Sequence, residues 1–246
     1  DSDDDPGVFA EAVRELSAVA QDAGATLLPI TTNARRVLNR DTDFFRLKYH
    51  AAMLCAAAHA LAPRLNSMSI ASSHDLRNLI PWGSHPLLET NLSSADMRIY
   101  HDSLEQSRID KTRLVAEWDL GLQNIKVCVA GWPGRNCGVC EKCRRTMLAL
   151  IAVGALERCQ SFPARDLDEE TVRSIQIVAN NQSGFYAEMI EPLRQAGRSD
   201  LARGVEFALK RFRGELGLRG RLKGADRVFL NGALTSMKRG LAGQPS

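Results

Sequence analysis

The sequence has no apolar run long enough to cross a bilayer. The longest, Ala51 to Ala62, contains His59 and falls well short of the roughly 20 residues that a membrane helix needs, so a membrane is not an expected partner. The start Asp1-Ser2-Asp3-Asp4-Asp5-Pro6 reverses the basic-then-apolar pattern of a secretory signal. It also lacks an initiator Met, which reads as the front of a fragment. Aromatic residues are scarce, at 6%, and no RNA-binding signature accompanies the basic residues of the C-terminal region. Nucleic acid is therefore not the expected partner. There is no internal repeat and no low-complexity tract, which argues against a solenoid or a disordered chain.

What is present is an ordinary globular composition: 246 residues, 44% hydrophobic and 25% charged, enough chain to bury a substantial core. The net charge of +3 conceals an uneven distribution. The first 22 residues carry seven acids against the single Arg14, while the chain after Leu201 is rich in Arg and Lys. Solvated helix faces account for both ends without a partner. A chain able to build a core does not need disulfide staples, so six cysteines point to a reducing, cytoplasmic setting.

The periodicity reads as alternating helices and strands. Phe9, Val13, Leu16 and Ala20 recur at helical spacing over residues 8 to 23 and end at Gly24, a residue suited to a C-cap. Strands are expected at Ala25 to Thr32, around Met68 and Ile70, at Met97 to His101 and from Ile125 to residue 129. Helices are expected from Phe44 to about Leu61, from Ser107 to Glu117, and from Arg144 to Glu157. Such alternation predicts a Rossmann-like, doubly wound α/β fold with a mostly parallel sheet. From Asp168 onward the pattern is helical, with Asp168, Glu169 and Glu170 marking a helix start. The expected organisation is an α/β domain over residues 1–163 and a helical appendage over 164–246, with a loose tail after Gly240.

Cys128, Cys137, Cys140 and Cys143 have a spacing of x8, x2 and x2, with Gly138 inside the knuckle. Four thiolates complete a tetrahedral zinc site and leave no position for water, which makes a structural zinc ion the expected cofactor. Arg135, Lys142, Arg144 and Arg145 lie close in sequence and can offset the negative complex. An iron–sulfur cluster of the ferredoxin type would need Cys and Pro where the chain has Met147 and Leu148. Cys55 and Cys159 fall on helical segments, where a free Cys packs as a small apolar residue.

This cysteine run, preceded by Lys111-Thr112-Arg113-Leu114-Val115 and an expected strand, resembles the C-terminal half of the 7-cyano-7-deazaguanine synthases. These belong to the PP-loop ATP pyrophosphatases, and the resemblance covers about residues 25 to 157. It implies a Rossmann-like fold, ATP with Mg2+ as co-substrate, and activation of a small-molecule acid by adenylation. Two departures stand out. The Ser-Gly-Gly-x-Asp-Ser phosphate loop of the family is absent, since the chain contains no Gly-Gly pair. The segment from Trp82 to Leu88 also differs from the family's recognition pattern. The resemblance therefore reads the chain as lacking its first strands and as acting, when full length, on a different substrate.

In doubly wound sheets ligands bind beyond the carboxyl ends of the strands. Ser72, Ser73, His74 and Asp75 follow one expected strand, His101 and Asp102 close another, and His85 lies in the loop between them. These residues are the candidate substrate site, joined by Lys111 at a helix start, where it can face a phosphate or carboxylate. The same residues could equally cap helices and turns. No Gly-x-Ser-x-Gly elbow surrounds Ser72 or Ser73, so a hydrolase triad is not expected. His50 and His59 sit on an apolar helix and read as packing residues. A homodimer is compatible with the sequence. The competing reading is a non-catalytic, zinc-stabilised binding module that contacts nucleic acid or a protein through Arg203, Lys210, Arg211, Arg213, Arg219, Arg221 and Lys223.

Overall fold

A computed structural model of the chain describes residues 6–34, 44–128 and 136–229. Helix α1 (Pro6–Asp22) is followed by irregular chain to residue 33, and Gly24 takes the left-handed φ of +65° that the sequence pattern anticipates. A π-helical turn over Phe45–Tyr49 leads into α2 (His50–Ala60) and strand β1 (Ser67–Ala71). After a short helix α3 (Pro86–Glu89), β2 (Arg98–Asp102) pairs parallel to β1, with Ser67 opposite Arg98 and Ala71 opposite Asp102. Next come α4 (Arg108–Glu117), α5 (Asp119–Gln123) and α6 (Glu141–Ala152). The remaining elements are helical: α7 (Glu169–Arg173), α8 (Asn180–Ala187), α9 (Ile190–Gln195) and the long α10 (Ser199–Phe229).

The protein is thus mixed α/β, predominantly helical, with a two-stranded parallel sheet among the described residues. The doubly wound sheet expected from the sequence is not what forms there. Ala25 to Thr32 and Ile125 to Cys128 form no strand among the described residues, and the last residue of the second expected strand lies outside them. Alternating apolar residues favour an extended backbone. A strand also needs a neighbour to take its N–H and C=O groups, and periodicity cannot supply one.

Two apolar clusters organise the molecule. The smaller joins Ala51, Cys55 and Ala58 of α2 to Ile70, Met97 and Ile99, so the helix covers one face of the strand pair. The larger is built around α6, whose Met147, Leu148 and Leu150 are fully buried, and it draws in Val172, Tyr186, Leu193, Leu201 and Val205 from the C-terminal helices. This core includes residues on both sides of position 163. At about 2 kcal/mol for each fully buried large side chain, the helices after residue 163 are bound by their contacts with α6. Among the described residues no helix is long and apolar enough to cross a membrane.

One close approach locks the helices to the loop after β1. A Cβ on Gly184 of α8 would lie 2.0 Å from Asn78 Oδ1, and Asn78 is itself fixed by donating its backbone N–H and Nδ2 to Asp75 Oδ1, each at 2.9 Å. Gly184→Ala should therefore destabilise the protein by about 1–2 kcal/mol, despite the better helix propensity of Ala. In an Asn78→Ser background the same change should cost nothing or stabilise, as read by chemical denaturation of the four proteins of the cycle. Equal costs in both backgrounds would show that the approach carries no energy.

Candidate metal centre and adjoining cleft

The four sulfurs of Cys128, Cys137, Cys140 and Cys143 all lie within 4.8 Å of one another. Cys137 Sγ is 3.7 Å from Cys143 Sγ, and Cys140 Sγ is 3.5 Å from it. Tetrahedral ligation at about 2.3 Å puts neighbouring sulfurs about 3.8 Å apart, so the donor set fits a metal ion of that geometry. Cys140 occupies the N-cap of α6 and Cys143 its first turn, where the positive end of the helix dipole favours thiolates. Gly138 turns the chain at φ +76°, with Pro163 packed where a Cβ would stand.

Backbone donors complete the knuckle. The Cys137 N–H donates to Cys128 Sγ at 3.2 Å and the Cys140 N–H to Cys137 Sγ at 3.3 Å. Donation from the Cys140 and Val139 backbones lowers the Cys137 thiol to about 6, whereas burial pushes the fully enclosed Cys143 thiol up. Four cysteine sulfurs facing one another this closely are the arrangement that a bound cation stabilises.

Asn136 holds this loop together, and nothing in the cysteine spacing points to it. Buried at 4% exposure, it accepts from the Val127 and Cys128 N–H groups at 2.9 and 3.3 Å and donates to the Ile125 and Ser161 carbonyls at 2.8 and 3.0 Å. The chain carrying Cys128 is thereby fixed against the knuckle. Of the nearby basic residues, Arg144 bonds Ser174, Arg145 reaches Glu141 at 3.4 Å, Lys142 is exposed, and Arg135 lies outside the described residues. Cys55 and Cys159 are buried and free, and the Cys159 thiol donates to the Leu122 carbonyl.

A cleft of about 230 Å3 opens at the carboxyl ends of β1 and β2. Five of the eight candidate substrate residues line it, Ser72, Ser73, His74, Asp75 and Lys111, and Asp102 at the end of β2 does not. Lys111 Nζ donates to Ser72 Oγ at 2.6 Å, and Ser72 Oγ in turn donates to the Ser103 carbonyl at 2.8 Å. Ser103 adopts φ +60°, a left-handed conformation unusual for a residue with a side chain and a form of local strain that recurs at functional sites. The far wall comes from Thr146 and Ala149 of α6, one to two turns beyond the cysteine knuckle, and from Phe185 of α8.

His85 and His101 do not line this cleft. They surround Glu89, a fully buried carboxylate absent from the sequence reading. Glu89 accepts from Ser84 Oγ, from the His85 N–H at 2.6 Å and from His101 Nδ1 at 2.9 Å. Burial raises its pKa, but these hydrogen bonds outweigh burial and hold the carboxyl below its usual range. The only sequence signal for Glu89 was its place three residues into a Pro-initiated helix. His85 also caps that helix, its Nδ1 accepting from the Leu87 N–H.

Two more contributors to the cleft come from residues that sequence reasoning passed over. Arg108 at the start of α4 lies over the Phe185 ring at 4.6 Å, Arg145 lies over it at 5.2 Å, and His74 stacks on it at 5.7 Å. Asn181 Nδ2 donates to His74 Nε2 at 2.9 Å, which leaves the proton on Nδ1. The basic C-terminal residues are partly consumed by the fold. Arg203 pairs with Glu169 at 2.8 Å, Arg211 donates to the Arg173 and Ile175 carbonyls, and Lys210 and Arg213 are exposed. The side chains of Arg219, Arg221 and Lys223 lie outside the described residues. Comparison of the chain with protein-family models, curated proteins and solved structures gives no match.

Burial first, then the Arg108 charge, lowers the His74 pKa to about 4, so the buried ring is neutral in the folded protein. Its unfolded counterpart titrates near 6.5, and between the two values only the unfolded state takes up the proton. Stability contributed by neutral His74 is therefore complete above about pH 6.5 and falls as the pH drops towards 4. The stability difference between wild type and His74→Asn, measured by urea denaturation, should shrink over that interval by up to about 1.4 kcal/mol per pH unit. A difference independent of pH would contradict the neutral assignment.

Proposed function

We propose that this protein is a zinc-stabilised α/β protein that binds a small-molecule substrate at the carboxyl edge of its parallel strand pair, and that its full-length form adenylates that substrate. The observation that carries the reading is convergence. Ser72 to Asp75, Lys111 and the wall residues of α6 and α8 come from four separate segments, yet they line one cleft where parallel strands end. Zinc is the preferred metal because four sulfur donors at the observed spacing suit a closed tetrahedral site. Closed in this way, it has no open position for substrate. Its role is to fix the head of α6, and with it Thr146 and Ala149 in the cleft.

Adenylation rests on the likeness of the cysteine run and the Lys111 helix to the PP-loop ATP pyrophosphatases. ATP phosphates need a cradle of backbone N–H groups, and the Gly-rich loop that supplies it in that family is missing from this sequence. Residues 1–246 therefore bind the substrate part of the reaction and do not release pyrophosphate from ATP by themselves.

Elemental analysis of purified protein should find about one zinc per chain, and Cys140→Ser should lose metal and thermal stability together. Val115→Trp, which fills the cleft, should retain its zinc while losing whatever thermal stabilisation small acids or nucleotides confer on wild type. Iron with visible absorbance, or a folded and chelator-resistant protein free of metal, would overturn the zinc assignment. Unchanged ligand response in Val115→Trp would remove the cleft as the binding site.

A further inference from the structure

The cleft holds two cations that no carboxylate of the protein neutralises by contact. Arg108 and Lys111 stand three residues apart on α4, and neither forms an ion pair among the described residues. Arg108 Nε is buried with no hydrogen-bond partner, and its guanidinium carbon lies over the Phe185 ring at 4.6 Å. Lys111 uses its ammonium to donate to Ser72 Oγ and, at 3.3 Å, to the Ser72 carbonyl, which leaves one of its three N–H groups uncommitted.

The acids nearby are engaged only in part. Asp75 gives Oδ1 to Asn78 while its buried Oδ2 has no hydrogen-bond partner, and Glu188 accepts from the Ile109 N–H at 3.2 Å while burial raises its pKa towards the neutral form. Glu141 accepts from Tyr186 and pairs with Arg145. Burial is the largest cause pushing the pKa of both Arg108 and Lys111 down, next comes cationic charge from Arg145 on Arg108 and from Arg108 on Lys111, and the charges of Glu188, Glu141, Glu105, Asp102 and Asp75 offset this only in part. One wall of the lining is apolar, built from Val115, Ile125, Val127, Ala149 and Phe185, while Gln106, Thr112 and Thr146 add neutral polar groups. A cleft with an apolar wall and two cations that no carboxylate contacts is complementary to an organic acid whose charged group sits between them and whose body lies against that wall.

We propose that Arg108 and Lys111 form an oxyanion subsite that holds the phosphate or carboxylate group of the ligand, with the Ser72 and Ser73 hydroxyls beside it. This rests on the reading of the cleft as the ligand site, and it adds the substrate class: an anion with a small apolar or flat body. Arg108 supplies a fixed planar fork of donors, and Lys111 supplies a point charge positioned by Ser72. In a partly water-excluded cleft both are worth more than they would be at an exposed surface.

The test is titration calorimetry of the full zinc-loaded chain with inorganic phosphate, AMP and benzoate, which separates a phosphate from a carboxylate source. At least one of the three should bind. Arg108→Gln and Lys111→Met should each weaken that binding by about ten- to a hundredfold, Arg108→Lys should fall between, and affinity should drop as salt rises. Arg108 packs on Phe185, so zinc content and circular dichroism serve as the folding control, and Lys111→Met gives an independent answer if Arg108→Gln does not fold. If Val115→Trp abolishes binding while both cation variants bind normally, the cleft stands and the oxyanion subsite is wrong. If none of the three probes binds wild type at millimolar concentration, the oxyanion subsite is equally overturned.

Discussion

The fold of the larger core depends on bringing four cysteine sulfurs together at the N-terminus of α6. Chain from residue 125 to 128 and chain from residue 136 to 140 must meet there, and neither forms a strand or helix up to the start of α6. Asn136 bridges the two with four hydrogen bonds, and the sulfurs accept backbone N–H groups of the knuckle. Thiolates packed this closely repel one another. A cation among them turns the main source of strain into the main source of order, and this is the physical reason for treating the cluster as a metal centre.

From that point the effects run outward along α6. The helix leaves the knuckle with Cys143 and Met147 buried and ends in a segment whose Leu148, Leu150 and Ile151 meet the C-terminal helices. Thr146 and Ala149 sit between these two regions and face the cleft. The C-terminal helices contribute in return, because α8 brings Phe185 and Asn181 against Arg108 and His74. The helices after residue 163, which the sequence pattern sets apart as an appendage, help to build the cleft wall.

Legibility followed the range of the interaction. Cysteine spacing is local chemistry, so the cluster could be read from the sequence, as could the helix over 107–117 and the turn at Gly24. Ser72 to Asp75 were found because the end of a strand is a local feature with a known place in parallel sheets. Arg108 was missed because a basic residue on a helix is usually solvated, and only contact with Phe185, 77 positions away, shows otherwise. His101 resembles a strand-end ligand in sequence, but its partner Glu89 lies on a separate helix, and their pairing depends on how α3 packs against β2. The expected strand at Ala25 to Thr32 failed for the same reason, since its apolar pattern contains no information about a neighbour to pair with.

The central claim is that a metal bound by the four cysteines holds α6, and through α6 the wall of the cleft. Hydrogen exchange of the purified protein with and without a strong chelator addresses it directly. Removal of the metal should expose the amides of Cys137 to Cys143 and of α6 through Ala149, while the β1 and β2 amides keep their protection because their core is the separate cluster under α2. If α6 keeps its full protection after the metal has been stripped, the knuckle does not organise the core and the account is wrong.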